Sequence, residues 1–169
     1  MESPFARIFI AIQKHIKAQV PEVLHIDHDL GQLEGYTHRP EIAFPAVLID
    51  LPDWQTDDLG DNAQQAEGDV IIKLGFAQHL QSSSHFSETH IKEALTYYEL
   101  EQKIHTALQG WSVAVENSEG DPTDDMGNLS RRGRRSENRP MGIRVCVVRY
   151  RLAFEDDSAM PERGTAWGA

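Results

Sequence analysis

The stretch IRVCVVRYRLAFED (143–156) decides the fold. Read as a strand, it places Val148, Tyr150, Leu152 and Phe154 on one face, as the period of two requires. Ile143, Val145 and Val147 carry the opposite parity, so the alternation breaks in the middle. Either a bulge near 147–148 switches the faces, or both faces of the first half are covered. Both readings place this strand in a sheet that packs against another layer.

Working outward, two more segments read as strands. FPAVLIDL (44–51) is bounded by Pro45 and Pro52, and DVIIKLGFA (69–77) alternates clearly. In the latter, Val70, Ile72, Leu74 and Phe76 point one way and Lys73 and Gly75 the other. Two helices accompany them. The first opens at Ser3-Pro4, a capping residue followed by a proline that suits the first turn. Phe5, Ile8, Phe9, Ile12 and Ile16 then recur at helical spacing up to Pro21, with Lys14 and Lys17 opposite. The second helix spans about Glu88 to Gln109, capped by Ser87. Its stripe is Ile91, Ala94, Leu95, Tyr97, Tyr98, Ile104 and Leu108. Gly110 suits the left-handed residue that ends a helix, and Trp111 is expected to fold back onto that end. Because each helix offers a single apolar stripe, both should cover the same face of one sheet. The expectation is an α+β domain over residues 1–156 with a flexible tail at 157–169.

The remaining stretches are polar. Residues 22–43 read as an extended connection in which Val23, Leu24 and Ile26 could begin a strand. Residues 53–68 read as an acidic loop. Residues 112–142, with SEGDPTDDMGN and LSRRGRRSENRP, give only weak evidence of strands.

Composition narrows the function. A chain of 169 residues with 40% hydrophobic content suits a single core. Its apolar runs, such as 46–49 and 145–148, fall far short of the ~18 residues of a membrane span. The start, MESPFARIFIAIQ, is interrupted by Glu2 and Arg7, unlike a secretory signal, which implies a cytoplasmic protein. The lone Cys146 rules out an internal disulfide, and within an apolar strand it reads as a small buried hydrophobe.

The net charge of −11 argues against general nucleic-acid binding, but the charge is unevenly spread. Residues 130–154 hold eight Arg against the single acid Glu137, a net of +7, which leaves −18 on the rest. An acidic body with one basic segment is suited to pair with copies of itself or with an acidic partner. Arg131, Arg132, Arg134 and Arg135 are therefore the candidate protein-interaction residues. No aromatic residue interleaves with them, so the stacking platforms of a single-strand binder are missing. Glu101 sits within the apolar stripe of the second helix. It reads either as a rim residue or as a partly buried ion pair with an arginine of the last strand.

The search for catalytic chemistry leaves little. His25-Ile26-Asp27-His28-Asp29 resembles the second half of the metal motif of metallo-β-lactamase-like hydrolases, but Val23 stands where the leading His should be. No further ligands can be assigned, and an ordinary solvated strand edge is the simpler reading. His85 and His90 are five apart, which is wrong for one helix face. There is no Gly-rich phosphate loop, Walker lysine or Gly-x-Ser-x-Gly elbow. Asp57-Asp58 and Asp124-Asp125 fall in polar stretches and read as solvated. The chain is expected to be no enzyme and to need no cofactor.

The order of elements is helix, FPAVLID, DVIIKLGFA, ALTYYELEQKIHTALQGW and a terminal IRVCVVRYRLAFED. Over residues 4–156 this resembles the tail-terminator, or tail-completion, proteins of long-tailed bacteriophages and prophages. The resemblance implies a mainly antiparallel sheet with two helices on one face. It also implies a homo-oligomeric ring, often a hexamer, in the virion tail, assembled in the host cytoplasm. Such a ring caps the tail tube and meets the head–tail connector, without enzymatic activity, cofactor or membrane. The charged stretch at 112–142 departs from that pattern. A head–tail neck protein of the same fold is the nearest alternative. A metal-dependent hydrolase using His25 and His28, or a small nucleic-acid binder using RRGRR, are the remaining ones.

Overall fold

In the computed structural model, residues 3–34, 41–77, 80–113 and 126–159 are described. Nine principal elements occur among them. They are α1 (Pro4–Gln19), β1 (His25–His28), β2 (Ala46–Asp50), β3 (Trp54–Asp58), β4 (Gln64–Ala77), α2 (Glu88–Ala94), α3 (Thr96–Leu108), β5 (Ser130–Arg139) and β6 (Ile143–Asp156). The sheet runs β1-β2-β4-β6-β5, with β3 beside the first half of β4. Only β1 and β2 pair in parallel; the other pairs are antiparallel. The class is α+β, as the periodicities imply.

Strands β4 and β6 pair without a break from Gln64↔Asp156 to Ala77↔Ile143. The anomaly of β6 is therefore not a bulge. Its first half is covered on both faces. On one face, Cys146, Val148, Tyr150, Leu152 and Phe154 join Val70, Ile72, Leu74 and Phe76 beneath α1 and α3. On the reverse face, Ile143 and Val145 pack with Leu33 and Leu48, and Phe44 and Val147 border them. Gly75 lets this happen. A Cβ there would lie 2.9 Å from Leu33 and 3.1 Å from Phe44, so the missing side chain is the space that the covering segment fills.

The helices lie on the first face. Ile8, Ile12 and Ile16 of α1 are fully buried, as are Ile104 and Leu108 of α3. Ser3 precedes α1 in extended conformation without a side-chain cap bond, whereas Ser87 accepts the His90 N–H ahead of α2. The single second helix expected from sequence is broken at Leu95. Thr96 donates its hydroxyl proton to the Glu93 carbonyl at 2.9 Å, competing with the helical ladder. The break rotates the stripe, so Leu100 is buried while Tyr98 stays 43% exposed. Gly110 takes the left-handed conformation at φ 74°. Trp111 folds back as expected, donating its backbone N–H to the Leu108 carbonyl and stacking its ring on His15 of α1 at 3.9 Å.

Two polar stretches are strands rather than loops. The acidic stretch forms the hairpin β3–β4, turning at 59–63. It is held by Trp54, whose indole fills the space over Gly68 and meets Phe5 and Phe154 edge-on. The basic stretch forms β5. Residues 160–169, most of the expected tail, lie outside the described residues.

Candidate assembly surface at the basic sheet edge

Strand β5 follows the sequence SRRGRRSENR and forms the outer edge of the sheet beside β6. A single 3-10 turn at Pro140–Gly142, closed by Gly142 at φ 70°, reverses the chain between them. No apolar residue marks the strand. It forms because β6 offers a full ladder on that side and because long arginine stems can lie over apolar neighbours. The one sequence signal is the Pro-x-Gly turn immediately before an obvious strand.

Register fixes which arginine faces where. Arg131 pairs with Tyr150 and Arg134 with Val148, on the helix-covered face. Arg135 pairs with Val147 and Arg139 with Ile143, on the reverse face. The ladder shifts between Arg131 and Gly133, leaving Arg132 as the extra, exposed residue of a bulge. The four candidate arginines thus occupy both faces and the rim of an edge strand; they do not form a free arm.

Glu101 is the buried acid, 8% exposed, and its partner lies on β5, not on the last strand. Arg134 grips it with two parallel bonds, Nε to Oε1 and Nη2 to Oε2, the latter at 2.7 Å. Burial alone would raise the carboxyl pKa, but the guanidinium more than offsets this and holds it below its ordinary value. Arg144 extends the cluster, lying 4.2 Å from the Tyr97 ring centre and donating to the Tyr98 hydroxyl at 3.2 Å. Cys146 lies beneath. Burial first, then the Glu101 carboxylate, push its thiol up to about 11. A thiol so perturbed stays protonated at neutral pH and is a poor nucleophile.

On the reverse face, charges run in a chain across the sheet. Asp29 meets Lys73 at 2.6 Å, Lys73 meets Glu34 at 2.9 Å, and Glu34 meets Arg139 at 2.9 Å. Arg139 then meets Glu137 at 2.6 Å, and Glu137 meets Arg135 at the same distance. Burial would lower the Lys73 pKa, but its two carboxylates raise it on balance. Further along, Arg151 bridges Glu67 and Asp69. Much of the basic segment is therefore neutralised within the chain. Arg131 and Arg132 make no ion pair with a described residue. Arg131 does donate its backbone N–H to the Gln109 side chain at 2.9 Å.

The His25–Asp29 cluster is used for packing. Asp29 is taken by Lys73, Asp27 accepts the His28 backbone N–H at 2.8 Å, and the His28 ring rests 5.7 Å from Phe9. Among the described residues no three His, Cys, Asp or Glu side chains converge as a metal site. A groove of about 750 Å³ opens elsewhere, between Phe44, Phe76, Leu80, Tyr97 and Leu100, with the Lys103–Glu22 pair on its rim. Among the described residues no helix is long and apolar enough to cross a membrane.

No protein-family model matches the sequence. No curated protein matches it either. Among solved structures, one similar chain belongs to the "Virion of native gene transfer agent (GTA) particle". The two superpose with a TM-score of 0.53 over 90% of this chain and 97% of that one, at 12% identity. At that identity the likeness is one of fold: this chain and that virion chain share an architecture along nearly their whole lengths.

Proposed function

We propose that this protein is a phage-type virion component that caps the tail tube as a ring of subunits and helps join tail to head. The observation that carries the reading is the near full-length fold likeness to a chain of a gene transfer agent virion. The order of elements over residues 4–156 supports the same reading independently, through its resemblance to tail-terminator proteins. The chemistry agrees. Cys146 is held as a thiol, the cluster at 25–29 is spent on Lys73 and on local turns, and the charged groups of β5 sit on a sheet edge. A charged edge strand suits a part that binds other proteins. A head–tail connector role uses the same fold and the same edge, and differs only in partner.

The test uses the full chain, with tail tubes assembled from the tube protein, and the connector proteins, of a phage-type particle from the same source. Electron microscopy and co-sedimentation should find the protein at tube ends and should find tube growth arrested. Binding to the connector but not to tubes would move the assignment to the neck. Binding to neither would overturn the proposal.

A further inference from the structure

Among the described residues, two outer strands of the sheet are open and of opposite charge. At one side, β5 exposes its rim from Arg132 onward; nearer its start, residues 110–113 pair with 127–129 and the Gln109 side chain caps Arg131. At the other side lies β3, whose residues Gln55, Thr56, Asp57 and Asp58 are all exposed. Asp53 and Asp61 flank it, also exposed, and none of these four carboxylates makes an ion pair with a described residue. The remaining outer strand, β1, is not comparable. Gln13 of α1 donates to its Ile26 carbonyl, Gln32 donates to the His28 carbonyl, and Asp29 is taken by Lys73.

The hydrogen-bond parity of β3 can be read directly. Asp69 donates to the Asp53 carbonyl and Leu59 to the Ala63 carbonyl, so the odd residues of β3 bond inward to β4. Trp54, Thr56 and Asp58 then direct their N–H and C=O groups outward. Among the described residues no backbone partner meets them. Such an edge is a template for another strand, and charge decides which strand it accepts.

We infer that β5 of one copy pairs edge to edge with β3 of the next, extending the sheet from subunit to subunit. The signs select this partner. Two β5 edges would bring arginines together, and two β3 edges aspartates, so both symmetric pairings are disfavoured while the mixed one is favoured. Because the two edges differ, the contact is head-to-tail and repeats around a closed ring or along a filament. This deepens the assembly reading above by naming the two surfaces that meet. It leaves open to test which virion component the ring touches.

The experiment exploits the opposite signs. One variant carries Arg132→Glu with Arg135→Glu, which cancels the net positive charge of β5 and sets carboxylates on both edges. A second carries Asp57→Lys with Asp58→Lys, making both basic. Arg134 is left alone because it holds Glu101. Circular dichroism and thermal melting first establish that each variant folds as the parent does. Association is then followed by sedimentation velocity over a concentration and salt series, alone and with tail tubes as template.

Each variant alone should associate at least ten-fold more weakly than the parent, and an equimolar mixture should recover assembly, since each acidic edge then meets a basic one. Thr56→Pro, which removes one outward N–H without touching a β3–β4 bond, should weaken association with no change in charge. The inference is overturned if either charge variant assembles like the parent, if the mixture does not recover, or if the parent never self-associates even on tubes. A parent that forms rings on tubes and arrests their growth, while the charge variants and Thr56→Pro assemble just as it does, would sink this contact and spare the proposed function. A parent that assembles through these edges but ignores tube and connector would do the reverse.

Discussion

Glu101 concentrates the physical chemistry of the domain in one side chain. It is a carboxylate placed in the apolar stripe of α3, and it is tolerable there because Arg134 meets it with two bonds. Its folded pKa lies below the ordinary 4.5, so the fold favours the ionised form. The linked stability is present above about pH 4.5, where the unfolded group is ionised too, and is lost as pH falls through the lower folded value. Glu101→Gln should cost about 1–3 kcal/mol at pH 7, the range for a buried charged hydrogen bond left half-made, with Arg134 partly solvated. The gap between parent and variant in urea unfolding should narrow on acidification to pH 3. A gap of constant size would mean that the pair contributes nothing through its charge. The sequence marks Glu101 as anomalous by its place in the stripe. It does not name the partner, because Arg134 is thirty-three positions away in a segment with no strand pattern.

At the scale of elements, what the sequence makes legible is whatever buries apolar side chains periodically. Leu74 sits in β4 under α1 and α3 with 1% exposure, whereas Leu30 in the turn after β1 is 77% exposed. Leu74→Ala should therefore cost about 2–5 kcal/mol by leaving a cavity, and Leu30→Ala less than about 0.5 kcal/mol. Chemical denaturation of the two variants side by side checks the assignment of faces. Both helical stripes, the strand at 69–77 and the second half of β6 announce themselves by this periodicity, while β2 at 46–50 and the first half of β6 show as apolar runs covered on both faces. β3 and β5 do not, for a shared reason. They are edge strands whose side chains are largely solvated, so nothing selects apolar residues in them, and their identity resides in backbone pairing with β4 and β6. The break at Leu95 escapes notice too, since one threonine hydroxyl redirected to the backbone leaves no trace in the pattern of hydrophobic residues.

At the scale of the whole molecule, charge is organised by strand rather than by segment. The basic run from 130 to 154 looks like one patch in sequence, but it is divided between two faces of the sheet and a rim; Arg134, Arg139, Arg149 and Arg151 meet acids of α3, the covering segment or β4, and Arg135 meets Glu137 of its own strand. The same accounting bears on the histidines. Asp29 belongs to Lys73 and His28 leans on Phe9, so binding a metal there would break existing contacts. Protein purified without an affinity tag should carry well under one equivalent of zinc or manganese and melt at the same temperature with or without chelator. One tightly held equivalent by elemental analysis would overturn this. Finally, the continuous ladder between β4 and β6 sets a timetable for the growing polypeptide. β6 lies in the middle of the sheet, yet its partners in β4 precede it by 66 to 92 positions, from Ala77↔Ile143 to Gln64↔Asp156. Until the ribosome has released Asp156, β4 has no neighbour on that side and β5 has none on its inner side. Most of the sheet must therefore close after these residues have been synthesised, through distant pairings of the kind that set folding times of about milliseconds to seconds. During that interval the bare flank of β4 is the part of the nascent chain most in need of a chaperone.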